Sequence, residues 1–464
     1  MTRRPNVLVI MSDQHRYDCT GASGRYPVRT PNIDRLAEEG VWFANAYTPI
    51  PVCGPARQSF VCGRRPESFG ALWNAGLGLP VGSLAPDAYS WARDLQQAGY
   101  ATAYIGKWDV HPDADPTAFG YGRYVDAERE YAAYRRLRHP DIRLEGGWRG
   151  ETDPVPLADS RTHWLADRAR RMLRELSEAN GPWHLRVNFA EPHLPCRPSE
   201  PFASQYNPAD VPPWGSFGDT LSGKPYIQRQ QLVNWGVQHA GWDEWAPVVA
   251  RYYGIVSQMD DAVGLLLDAL KEQGEEDNTV VVYTSDHGDM CGGHGMMDKH
   301  YVLYDDVVRV PLAIRWPGVA KPGTVCGAFV YNHLDLPPTL LDLLGLPLPP
   351  HLHGRSMRPL LEGEVPDDWR SFAVSTSNGQ QFGLFAQRMI RTADWKYIWN
   401  PIDTDELYDL QNDPHERENR IAGPGCGKIL SALRRELLGE LRRTGDGLVA
   451  GHWLEGQLLR GEKL

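Results

Sequence analysis

The stretch NVLVIMSDQ, residues 6–14, sets five consecutive apolar residues, Val7 to Met11, directly against Ser12, Asp13 and Gln14. A short, continuous apolar run that ends abruptly in polar residues reads as a strand buried on both faces, with its functional groups at the carboxyl end. Working outward, TPNIDRLAEEG (30–40) reads as a helix with Thr30 as its cap, Pro31 at the first helical position and Gly40 as its stop. The alternation repeats along the chain. A helix is expected over 86–99, ending at Gly99, and a strand over 100–106. A helix at 159–179, a strand at 183–190, a helix at 244–273 and a strand at 279–285 follow. Strands alternating with long helices predict an α/β fold whose mostly parallel central sheet is flanked by helices. After Gly363 the texture changes. SFAVST (371–376), QFGLFAQRMIRTADWKYIWN (381–400) and ELYDL (406–410) read as short strands, and a last helix is expected at 428–443. The expected division is a catalytic domain over 1–363 and a smaller C-terminal α+β domain over 364–464. Residues 109–158 and 191–240, rich in Pro, Gly, Trp and charge, read as long insertions of the kind that build substrate sites.

Composition narrows the function. The 464 residues carry a net charge of −11 with no strongly basic run, which argues against nucleic acid, whose binding is driven by neutralising phosphates. No apolar run approaches the roughly 18–20 residues of a membrane span. The amino-terminal apolar run meets Asp13 instead of a small-residue cleavage site, so a cytoplasmic protein is expected. Seven scattered cysteines suggest neither a disulfide framework nor a zinc ribbon. Trp148, Trp214, Trp235, Trp242 and Trp245 in or near the insertions suit either stacking on a sugar or aryl group or ordinary packing. The apolar residues of GHWLEGQLLRGEKL (451–464) could dock on a second subunit of a homo-oligomer.

The chemistry collects at strand ends. Asp286-His287 follows TVVVYTS as Asp13-Gln14 follows NVLVIMS. Ligands of open parallel sheets bind beyond the carboxyl ends of strands, so two carboxylates, an amide oxygen and an imidazole would face one crevice and suit a single divalent cation. EPHLP (191–195) adds His193, GKWDVH (106–111) adds Lys107 and His111, and MMDKH (296–300) adds Lys299 and His300. Lysines and a histidine around that crevice describe a pocket for a small anion with a proton donor at hand.

CGPARQSFVCGR (53–64) stands where an extended stretch turns into a helix, and it resembles the signature of type I sulfatases. Ala56 stands where that signature has Ser, and Cys62 where it has Thr. PNVLVIMSDQ, TPNIDRLAEEGVWFANAY, GYATAYIGKW, EPHLP, TSDHGDMCGGHG, RVPLAIRWPG and ELYDLQNDPHERENR occur in the order of that family, within the alkaline phosphatase superfamily. The resemblance implies an alkaline phosphatase-like fold and hydrolysis of a small-molecule or carbohydrate sulfate ester. It further implies that a maturation enzyme converts Cys53 to formylglycine, whose hydrate attacks sulfur with one hydroxyl and expels sulfate by deprotonation of the other. Asp13, Gln14, Asp286, His287 and residue 53 would hold the metal, Ca²⁺ by family habit, with Mn²⁺ or Mg²⁺ as alternatives. Arg57 would orient the diol, Lys107 and Lys299 would hold the sulfate oxygens, and His193 would protonate the leaving alcohol. Two departures bear on this. Gln14 and His287 make the metal pairs similar to those of choline sulfatases and phosphonate monoester hydrolases, which keeps a phosphonate or phosphate diester hydrolase as the alternative. Asp109 occupies the usual histidine position, leaving His111 to substitute in substrate binding.

Overall fold

A computed structural model describes residues 4–77, 80–179, 181–380 and 383–463. The strands β1 (Asn6–Asp13), β2 (Val41–Tyr47), β3 (Ala101–Gly106), β4 (Arg123–Val125), β5 (Trp183–Pro192), β6 (Thr279–Ser285), β7 (Leu312–Arg315) and β8 (Thr324–Tyr331) form one eight-stranded sheet in the order β4-β3-β5-β1-β6-β7-β2-β8. All pairings are parallel except those of β7, which runs against both β6 and β2. This is the alkaline phosphatase-like arrangement, with β1 at the centre.

The helices between and after these strands are α1 (Pro31–Glu39), α2 (Cys53–Cys62), α3 (Trp91–Gln97), α4 (Ala127–Arg138), α5 (Arg161–Glu178), α6 (Tyr226–Trp235), α7 (Trp242–Glu272), α8 (Asp305–Val308), α9 (Asn332–Leu343) and α10 (Arg358–Leu361). Side chains alternate across a strand, and the central strand is apolar on both sides for that reason. Leu8 and Ile10 pack into a core with Ile33 and Leu36 of α1, Leu173 of α5 and Leu266 of α7. Val7, Val9 and Met11 face the opposite core, with Phe60 of α2, Trp91 of α3 and Leu336 and Leu340 of α9. Burying each such side chain contributes about 1.5–3 kcal/mol, so the apolar run that marks β1 in the sequence also drives both layers onto it.

A four-stranded antiparallel sheet follows, formed by β9 (Ala373–Gln380), β10 (Gly383–Arg391), β11 (Trp395–Trp399) and β12 (Glu406–Asp409) in the order β12-β11-β10-β9. Leu430, Leu433 and Leu437 of α11 (Gly427–Arg443) cover it, and α12 (His452–Arg460) closes the chain. The expected strand over 381–400 begins at positions 381–382, which lie outside the described residues.

Several local expectations change. Thr30 precedes α1 but makes no capping bond; its hydroxyl goes to Asp34. The first amides of α1 are satisfied instead by Asp260 of α7, which accepts from the backbone N–H of Asn32 at 3.1 Å and of Ile33 at 2.8 Å. The helix expected over 86–99 is confined to Trp91–Gln97: residues 86–88 form a turn in which the Ala88 N–H donates to the Ala85 carbonyl, and Ser90, in extended backbone, donates its hydroxyl to the Phe119 carbonyl. The carboxy-terminal stretch forms α12, with Leu458 buried and Trp453 73% exposed.

Gly106, which ends β3, sets the course of the chain into the crevice. Its φ is +114°, and a Cβ there would meet the Asn188 carbonyl oxygen of β5 at 2.0 Å. Only glycine accepts both conditions. Gly106→Ala is expected to cost more than about 2 kcal/mol and to lower activity further by displacing Lys107, measured by urea unfolding alongside turnover.

Candidate active site

Register explains why distant residues meet. Ser12 pairs with Ser285 across β1 and β6, Asp13 pairs with Pro192 across β1 and β5, and Gly106 pairs with Asn188 across β3 and β5. Asp13, Asp286, His193 and Lys107 therefore emerge at the same edge of the sheet, where strand ends open a crevice. α2 points its amino terminus into that crevice, with Cys53 as its first residue and every residue of the helix buried. The Gly54 amide is taken by Asn74 Oδ1 at 2.7 Å.

At the floor, one ligand-type atom from each of Asp13, Cys53, Asp286 and His287 lies within 4.8 Å of the other three. Cys53 Sγ is 3.3 Å from His287 Nε2 and 3.7 Å from Asp13 Oδ1. His287 Nδ1 sits 2.8 Å from the Gly288 carbonyl, which can only accept, so the proton is on Nδ1 and Nε2 is directed at the cluster. Arg57, one turn along α2, donates from Nε to Asp286 at 3.1 Å, from Nη2 to Asp13 at 3.0 Å and from Nη1 to the Lys107 carbonyl at 3.1 Å. Lys107 Nζ reaches Asp13 at 2.6 Å and Asp109 at 3.1 Å.

The electrostatics follow from packing these charges out of water. Burial pushes the Asp13 carboxyl up, but Lys107, His193 and Arg57 outweigh it and hold the group well below the usual carboxylate range. Burial and Asp13 raise the Cys53 thiol, yet Lys107, Lys299 and His287 bring it down to about 5. His287 is disfavoured as a cation by burial, and Asp286 and Cys53 nonetheless raise it to about 9. A site that draws a proton so strongly onto an imidazole is one in which a divalent cation would take the proton's place. Two carboxylates and an imidazole fit such an ion.

A second group faces the floor. Lys299 Nζ donates to Gln14 Oε1 at 2.8 Å and lies 2.9 Å from His193 Nε2 and 3.3 Å from Asp298. His193 Nδ1 is 2.7 Å from the Leu194 carbonyl, which again fixes the proton on Nδ1 and leaves Nε2 to accept from Lys299.

The structure thus brings Asp13, Cys53, Arg57, Lys107, His193, Asp286, His287 and Lys299 together. Gln14 arrives at the rim, but its amide is engaged, with the oxygen on Lys299 and the nitrogen on Asp298 at 3.0 Å. His111 is not brought in. Its Nδ1 accepts from the backbone N–H of Asp113 and Ala114 and so shapes its own loop. The residue beside Lys107 is Asp109. Sequence reasoning passed over Asp298, which joins Gln14, Lys299 and His300 (3.2 Å) from a left-handed backbone position. Only its place beside Lys299 and His300 could have signalled it.

Beyond Lys107 and His193 a cavity of about 400 Å³ opens, walled by residues from both insertions, including Arg135, Asp153, Glu191 and Arg197. None of the five insertion tryptophans lines it. Trp214 and Trp245 are buried core residues, and Trp148 packs edge-on against Trp235. Among the described residues no helix is long and apolar enough to cross a membrane.

The pattern of the sulfatase family matches residues 5–346, and that of the N-sulphoglucosamine sulphohydrolase C-terminal region matches residues 292–443. An arylsulfatase of Clostridium perfringens is 29% identical, with 99% of this chain and 98% of that protein aligned. An N-acetylglucosamine-6-O-sulfatase of Bacteroides thetaiotaomicron is 28% identical over 90% of this chain and 83% of that one. Among solved structures, a phosphonate monoester hydrolase of Agrobacterium radiobacter superposes with a TM-score of 0.83 at 26% identity, covering 95% of this chain and 96% of that one. With the metal-type cluster at the mouth of the sheet and the family pattern spanning most of its length, this chain belongs to the sulfatase family of the alkaline phosphatase superfamily and is a hydrolase of sulfuric ester bonds.

Proposed function

We propose that this chain hydrolyses a sulfate ester of a polyhydroxylated, carbohydrate-type alcohol, with formylglycine derived from Cys53 as nucleophile and one divalent cation held by Asp13, Asp286, His287 and residue 53. The observation that carries this reading is the position of Cys53. It is the first residue of a buried helix, 3.3 Å from His287 and 3.7 Å from Asp13, ringed by Arg57, Lys107 and Lys299.

When bound, the cation supplies Lewis acidity to the nucleophile and to a sulfate oxygen. The remaining work falls to the chain. Arg57 bridges both carboxylates and keeps them from repelling one another across the crevice. Lys107 and Lys299 present ammonium groups at the site and suit the non-bridging sulfate oxygens. His193 accepts from Lys299, so the proton delivered to the departing alcohol oxygen is the one this pair shares. The polar cavity beyond them, furnished with guanidinium and carboxylate groups and with Tyr131 in its lining, supports an alcohol rich in hydroxyls. Seven free cysteines support a reducing, cytoplasmic setting, and the CGPAR motif at 53–57 supports a maturation enzyme that acts on Cys53.

Protein made with a formylglycine-generating enzyme should show an aldehyde or its hydrate at position 53 by peptide mass spectrometry, and Cys53→Ala should lack turnover; full activity with an unmodified thiol would sink the proposal. Phenylphosphonate esters turned over in preference to sulfate esters would shift the reading to the phosphonate side of the superfamily.

His193→Ala should harm esters of weakly acidic alcohols at least about 100-fold more than activated aryl esters, because a good leaving group needs little protonation. A leaving-group series with uniform losses would place His193 in sulfate binding.

Stripping metal with chelator should abolish turnover and lower Tm, and restoring Ca²⁺, Mg²⁺ or Mn²⁺ singly should rank the ions on both measures. Imidazole is a normal ligand for Mn²⁺ and a poor one for Ca²⁺. His287→Asn should therefore move the ranking towards Ca²⁺, and an unchanged ranking would remove His287 from ion selection.

A further inference from the structure

The cavity beyond Lys107 and His193 is more cationic than the protein that contains it. Four cationic side chains, Lys107, Arg135, Arg161 and Arg197, line it against three carboxylates, Glu128, Asp153 and Glu191, in a chain of net charge −11. The pairing among these groups is uneven. Arg135 is fully engaged, donating from both terminal nitrogens to Asp153 at 2.5 and 2.9 Å. Arg161 gives only its Nε to Glu191, at 2.6 Å. Arg197 Nε lies 3.5 Å from Glu151 without bonding to it, and that buried nitrogen has no hydrogen-bond partner among the described residues. Among the described residues the terminal Nη groups of Arg161 and Arg197 donate no hydrogen bond, and these side chains are 37% and 30% exposed. Glu191 pairs with Arg161 and Asp153 with Arg135; Glu128, on the exposed surface of α4, makes no ion pair among the described residues, although its charge is felt at Arg161.

The Arg161 guanidinium, whose Nε is anchored by Glu191, is held in a fixed orientation with its two outer nitrogens presented as a fork. That fork matches the oxygens of a carboxylate or sulfate, and such bonds are the stronger, charge-assisted kind. A neutral polyol would offer those outer N–H donors only neutral acceptors, which make weaker bonds than an anion does. We propose that Arg161 and Arg197 recognise a second anionic group, a carboxylate or a further sulfate, carried on the alcohol portion of the substrate. The natural substrate is then an ester with two negative charges, one at the reacting sulfate and one in this cavity. The proposal rests on the sulfate ester hydrolase reading above, since it takes the cavity next to His193 as the seat of the leaving alcohol.

Three aryl sulfates separate the cases: 4-acetylphenyl sulfate as the neutral ester, 4-carboxyphenyl sulfate, and 4-sulfophenyl sulfate as the mimic of a second sulfate. Each variant's kcat/KM is compared with wild type on the same ester, which cancels the differing acidities of the phenols. Arg161→Met and Arg197→Met should each lose at least about tenfold more on a charged ester than on the neutral one, with the excess appearing in KM. The charged ester that shows the larger excess identifies carboxylate or sulfate as the group recognised. Because Arg161→Met leaves Glu191 unpaired, Arg161→Lys provides a variant that keeps a charge beside that carboxylate while removing the fork, and it should show the same selective loss. Equal losses on all three esters, with wild type turning over the neutral ester, would overturn the assignment of this cavity and leave the hydrolase reading intact. Absence of turnover on all three by matured, metal-loaded wild type would overturn both.

Discussion

Two carboxylates without solvent exposure, Asp13 and Asp286, stand at the ends of neighbouring parallel strands, and the structure around them depends on how that charge is balanced. A buried charge left without its partner costs roughly 3–5 kcal/mol. Arg57 answers both carboxylates at once, at 3.0 and 2.9 Å, while its third contact ties the Lys107 carbonyl. At an effective dielectric of about 20, an ion pair at 3 Å is worth about 5 kcal/mol before desolvation is subtracted, so one guanidinium fixes two strand ends and the start of α2 relative to each other. The same cluster offers a divalent ion two carboxylates, an imidazole and residue 53, with one atom of each converging within 4.8 Å of the others.

The scaffold makes this constraint affordable by its topology. Parallel strands all deliver their carboxyl ends to one edge, and with β1 between β5 and β6, segments nearly 300 residues apart meet within hydrogen-bond distance, as Gln14 and Lys299 do at 2.8 Å. The helices on each face insulate the strands from water, so the charges at the edge act in a setting where their mutual attraction is strong. The two insertions then rise on either side of His193 and Lys107 and wall a cavity that the sheet alone would leave open.

The reactive floor and the cavity use charge differently. At the floor, cations and acids are buried and mutually satisfied, which fixes position. In the cavity Arg161 is half-satisfied, its Nε anchored by Glu191 and its outer nitrogens without a hydrogen bond among the described residues, an arrangement that orients a donor and leaves it available. The tryptophans of and near the insertions belong to a core cluster of their own. Trp148 packs against both Trp235 and Trp245.

The sequence by itself determined the layers and the identity of the reacting groups. Val7 to Met11 and TVVVYTS are apolar on both faces and admit only a doubly covered strand, and the polar residues that end them must lie at its carboxyl edge. The motif at Cys53 was legible because its chemistry depends on residues close together in the chain. Tertiary structure alone decided what depends on register and on contacts between distant segments. It gave the capping of α1 to Asp260 and confined α3 to seven residues, with Ser90 bonded to the Phe119 carbonyl. It turned His111 into its own loop, occupied the Gln14 amide, drew in Asp298, and buried Trp214 and Trp245 where stacking on a ligand had been as consistent with the sequence. Periodicity reports which face of an element is buried. It carries no information about which of many exposed-end polar groups will find one another across 270 residues, and that is settled only when the strands take their order in the sheet.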